Sequence, residues 1–178
     1  TESTPDNTVG DDNFDNDQAF YAFDEQQNVT LGSSLTVDTS MVSTTTIPSG
    51  AVVSSHYVFF DPASIVRADA TITFTGAILG VLTSAATMAD TDILLGLAGL
   101  AINPVNYVND VARGLETRDS YAFNGNVLTV SLRASTPGDY IRVITEGVTA
   151  PIPLPGAALL FLTAMSAGLF ARARVKKA

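Results

Sequence analysis

Ser120-Tyr-Ala-Phe-Asn-Gly-Asn-Val-Leu-Thr-Val-Ser-Leu132 reads as two short β-strands joined by a tight turn. Asn124-Gly125-Asn126 supplies residue types that accept positive φ, while Tyr, Phe, Val and Thr on either side favour extended backbone. The same texture repeats outward from this hairpin. Ser135-Thr-Pro-Gly-Asp139 is a turn, and Tyr140 to Thr145 makes the next strand. Upstream, Val29, Leu31, Leu35 and Val37 share one parity, Ile47-Pro48-Ser49-Gly50 is a turn, and Ala51 to Phe60 is a long strand closed by Asp61-Pro62. Ala70 to Phe74 and Ile78 to Leu82 follow, separated at Gly76. Strands at this spacing predict a mainly β fold, an antiparallel β-sandwich or jelly roll. One insert breaks the pattern. Thr91-Asp92 is expected to cap a short helix over Ile93 to Leu97, and the apolar stretch running on to Tyr107 suits packing on the sandwich or on a membrane.

Charge is distributed unevenly along the 178 residues. All 18 Asp and Glu precede residue 147, against only 5 of the 9 Lys and Arg, so this part carries a formal charge of −13. Such a surface disfavours nucleic acid and anionic headgroups and suits a basic protein partner. No charged residue occurs between Glu146 and Arg172, a gap of 25 residues. A hydrocarbon core needs about 20 apolar helical residues, which predicts a transmembrane helix over 156–172. Arg172, Arg174, Lys176 and Lys177 form its basic stop and point the C-terminus to the cytoplasm, with the ectodomain in the periplasm of a bacterial inner membrane. Ala164 with Gly168, and Ala167 with Ala171, place small residues one turn apart, a spacing that lets a helix approach an integral-membrane partner. The organisation expected is therefore an acidic N-terminal segment (1–27), a β-sandwich ectodomain (28–147), a Pro-rich linker (148–155), the transmembrane helix (156–172) and a basic tail (173–178). Phe14, Phe20, Tyr21 and Phe23 are too many aromatics for a purely solvated segment, and Phe20 to Phe23 are expected to dock on the domain or on a neighbour. A chain opening at Thr1 without Met, and lacking cysteine, is expected to have lost an export signal.

Residues that carry chemistry are sparse. His56, the only histidine, shares a strand face with Val52, Ser54, Val58 and Phe60 and is expected to be a hydrogen-bonded or edge-strand histidine rather than a catalytic one, because no Gly-x-Ser-x-Gly elbow accompanies it. Asp11-Asp-Asn-Phe-Asp-Asn-Asp17 is the most metal-like stretch and is suggestive of calcium, but the sixth and twelfth positions counted from Asp11 hold Asn16 and Ala22, where an EF-hand needs Gly and Glu. Asp90 and Asp92 are explained by capping and the helix dipole. Asn28-Val29-Thr30 matches a glycosylation sequon by chance. Phosphate loops and dinucleotide fingerprints are absent from the sequence. No catalytic residue, metal site or cofactor is therefore expected.

Pro151-Ile152-Pro153-Leu154-Pro155, followed by Gly-Ala-Ala-Leu-Leu-Phe-Leu and ending in Arg172-Ala-Arg174, resembles the VPLPA variety of PEP-CTERM sorting tails. The resemblance covers about 28 residues, with Ile152 in place of the usual Val and Gly156 in place of the usual Ala. It implies export by a Gram-negative bacterium and recognition of the tail by an exosortase-type membrane enzyme. It assigns no catalytic residue. The function expected is a non-enzymatic, membrane-anchored periplasmic protein, a structural or accessory subunit bracing a larger membrane complex of respiratory or photosynthetic type. The alternative is an exosortase-processed surface or matrix protein linked to exopolysaccharide.

Overall fold

In the computed structural model of the chain, the structure describes residues 8–9, 19–98, 106–107, 113–135 and 138–148. The anchor segment, with Pro151–Pro155, the small residues from Ala164 to Ala171, and the basic stop, lies outside them, as does the Asp11–Asp17 stretch. Among the described residues no helix is long and apolar enough to cross a membrane.

The fold is mainly β and antiparallel, consistent with a β-sandwich. Among the described residues the strands are, in chain order, β1 (Thr8–Val9), β2 (Tyr21–Asp24), β3 (Val29–Thr30), β4 (Leu35–Ser40), β5 (Ser43–Ile47), β6 (Val52–Phe60), β7 (Val66–Thr73), β8 (Ile78–Leu82), β9 (Asn106–Tyr107), β10 (Ser120–Asn124), β11 (Val127–Ala134) and β12 (Asp139–Glu146). A seven-stranded sheet runs β2-β6-β12-β8-β4-β5, with β3 also on β6. A three-stranded sheet runs β10-β11-β7, and β1 pairs with β9 in parallel.

The large sheet is covered on both faces. Val58, Phe60, Val81, Ile141 and Val143 meet Leu128, Val130 and Leu132 of the small sheet. On the opposite face Tyr57, Phe59, Leu82 and Tyr140 meet Met88, Leu95 and Tyr107 of the insert. Alternate residues of β6 and β12 therefore enter two different cores, so these strands read as continuous apolar runs instead of alternating ones. Each fully buried Val, Leu, Ile or Phe contributes roughly 1.5–3 kcal/mol. The insert thus packs on the sandwich.

Two expectations need correction. The helix, α1, spans Ala85–Thr91, not Ile93 to Leu97; Ser84 is its N-cap, accepting from the Thr87 N–H, and Asp92 stands at its C-terminal end. Gly96 opposes helix further on, and the Asp92 carboxylate is drawn to two arginines instead. The alternation from Val29 to Val37 is also not one strand, since β3 ends at Thr30 and β4 begins at Leu35. Between them Leu31 fills the core and exchanges backbone hydrogen bonds with Gly50 and Ala51. The opening hairpin is found as read: Asn124 pairs with Val127, and Gly125 takes a φ of 59°, which costs a residue with a Cβ about 1 kcal/mol or more.

Candidate functional site

Strand β2 joins Phe20, Tyr21 and Phe23 to the domain itself. It pairs with β6, placing Phe23 opposite Tyr57 and Asp24 opposite His56, and Phe20 stacks on Phe60 with centroids 4.9 Å apart. This pairing creates two polar clusters.

The first is buried. Glu25 follows β2 directly and turns into the core, where Arg142 of β12 donates Nε–H and Nη2–H to its two carboxylate oxygens at 2.6 and 2.7 Å. Arg142 Nη2 also reaches Asp92 Oδ1 at 2.8 Å, while Nη1 donates to the Met88 carbonyl and Thr91 Oγ1. Arg113 clamps Asp92 through both Nη atoms and donates Nε–H to the Tyr57 hydroxyl. The Tyr107 hydroxyl donates to Glu25, and its ring lies 4.9 Å from the Arg113 guanidinium carbon. Burial alone would lower the Arg142 pKa, but Glu25 and Asp92 outweigh it and hold the group above its ordinary value. Burial raises Tyr57 and Tyr107, with the Glu25 charge adding to both. Two carboxylates face two guanidinium groups, and Arg142 uses all five N–H donors. This cluster is a structural tie between β2, β12 and the insert. Sequence reasoning missed it, although a lone arginine inside Tyr140-Ile-Arg-Val-Ile144 was a usable signal.

The second cluster lies in a cleft of about 550 Å³. Its walls are β2, the end of β7 and the Phe74–Gly76 bend; its floor is Ser54, His56 and Thr145. Gly76 makes that bend possible, because a Cβ there would stand 2.3 Å from the Glu146 carbonyl oxygen. His56 is fixed at both nitrogens: Nδ1–H donates to Asp24 Oδ1 at 2.5 Å, and in the neutral ring Nε2 accepts from the Thr145 hydroxyl at 3.0 Å. Phe74 packs against the imidazole at 4.7 Å. The expectation of a hydrogen-bonded histidine holds. The chemical order is that of an orienting acid, a base and a hydroxyl, but Thr145 is 1% exposed and sits on a central strand. Asn28, at φ 57°, closes one end, its N–H donating to Ser54 Oγ and its side-chain oxygen accepting from the Val148 N–H. The sequon residue therefore has a structural role.

A third group surrounds Asp139. Burial, with Asp119 and Glu116 adding, pushes its carboxyl up to about 7, and Oδ2 has no hydrogen-bond partner among the described residues. Asp119 is engaged by the backbone N–H groups of Glu116 and Arg133. Among the described residues no group of three or more His, Cys, Asp or Glu is placed to hold a metal ion.

Fold and cleft together define a mainly β domain with a carboxylate-bearing recess. No family model, curated protein or solved structure matches the chain.

Proposed function

We propose that this chain is a non-enzymatic accessory or structural subunit, anchored in a bacterial inner membrane by its C-terminal residues and bracing a larger membrane complex through its periplasmic domain. The observation that carries the reading is the cleft floor. His56 is held at both nitrogens, and the hydroxyl that meets it, Thr145 Oγ1, is buried on a central strand, which supports a fixed surface for grip over a site of turnover. The apolar run after Pro155 and its basic end support the anchor. A respiratory or photosynthetic assembly fits an exported, anchored bracket of this kind.

The test is isolation of the full chain from native membranes with measurement of intact mass and stoichiometry. Full-length protein co-purifying at a fixed ratio with an integral complex is the expected result. The resemblance at Pro151–Pro155 favours a second reading, sorting by an exosortase to the surface or an exopolysaccharide matrix. Mature protein lacking the residues after about Pro155 would establish that reading and remove the first. An esterase activity abolished by His56→Gln would remove both in favour of catalysis.

A further inference from the structure

β2 and β7 are end strands of their respective sheets among the described residues, each paired on one side only. Both line the same cleft. Unpaired strand edges offer main-chain donors and acceptors to an added extended segment. Charge states what kind of segment. The cleft is lined by two carboxylates, Asp24 and Glu146, and by no lysine or arginine. Asp24 is exposed, with its side chain 56% accessible, and its Oδ2 has no hydrogen bond among the described residues. Glu146 is exposed as well. Arg142 and Arg113 are spent in the buried cluster against Glu25 and Asp92. Aromatic rings of Phe20 and Phe74 complete the walls, and a desolvated cation beside a ring gains a further attraction.

We infer that the cleft is the docking site for an extended segment of a partner protein that carries lysine or arginine, its backbone laid along the β2 or β7 edge and its cationic side chain between Asp24 and Glu146. This rests on the bracing function and names the chemistry of what is braced.

The probe is a fluorescein-labelled Thr-Val-Lys-Val-Lys-Val-Thr peptide, titrated by anisotropy against the full chain in detergent. Saturable binding is expected, with Asp24→Asn/Glu146→Gln raising Kd about tenfold or more, as the loss of charge-assisted hydrogen bonds implies. The melting midpoint of that double variant should stay unchanged. The same peptide with Glu for Lys should not bind, and a version N-methylated at alternate residues should bind at least about tenfold more weakly, because it cannot complete a strand edge. No saturable binding, equal binding of the Glu peptide, a double variant within twofold of the parent, or competition by n-butylammonium at equal concentration each overturns the inference. Failure here with intact co-purification leaves the bracing function standing. Peptide binding by a chain found processed and alone removes the bracing function and keeps the cleft.

Discussion

At the scale of single residues, Glu25 and Arg142 carry a large risk. Both side chains are fully buried, and each is the other's bidentate charge partner, with Asp92 a second carboxylate on Arg142. Removing one partner strands an uncompensated charge, at about 3–5 kcal/mol. Glu25→Ala is therefore expected to lower stability by that amount in urea unfolding. Glu25→Leu combined with Arg142→Met should recover much of the loss, because a well-packed apolar pair escapes the desolvation cost. Asp139 gives a second prediction. Its folded-state pKa of about 7 lies above the ordinary 3.8, so the native state binds the proton more tightly than the unfolded chain. Stability is then lost as pH rises from about 4 to about 7 and stays level beyond. Asp139→Asn should flatten this part of the pH profile and be the more stable form at pH 8, measured by thermal melts across that range.

At the scale of elements, β2 is only four residues long, yet it delivers Phe23 to one core, Asp24 to the cleft and Glu25 to the ionic cluster. A chain beginning at Asn28 loses all three and leaves Arg142 facing Asp92 alone. It is expected to lose its cooperative melt and its near-ultraviolet circular dichroism. Phe20, Tyr21 and Phe23 were legible as docking residues, because rings crowded into an acidic stretch are too apolar for water. That they form a strand was not, since Tyr-Ala-Phe-Asp is too short for its period to be read. The hairpin at Asn124–Asn126 and the long β6 were legible, because turn chemistry and β-branched runs are local signals. Strand β5, Ser43-Thr-Thr-Thr-Ile47, gave none: four of its five residues are exposed and no alternation marks a buried face.

At the scale of the whole molecule, the mainly β class could be read, whereas the layering could not. Whether a run such as Val52 to Phe60 is buried on one face or two depends on what the insert covers, and that is a tertiary fact. The cleft was illegible for the same reason. Asp24, His56 and Thr145 lie 32 and 89 residues apart and converge only through sheet register. His56 alone was visible, as the single histidine on a strand.

Strand β12 is the last of the described strands and yet occupies the middle of the large sheet, between β6 and β8. A ribosome releases it after every other described strand, so the sheet cannot close from its N-terminal end upward. Pairing across some eighty residues is slow, because a long loop must be closed before any contact rewards it. A chain still emerging from the ribosome therefore lacks its keystone. Folding of the large sheet waits until synthesis of this segment is complete.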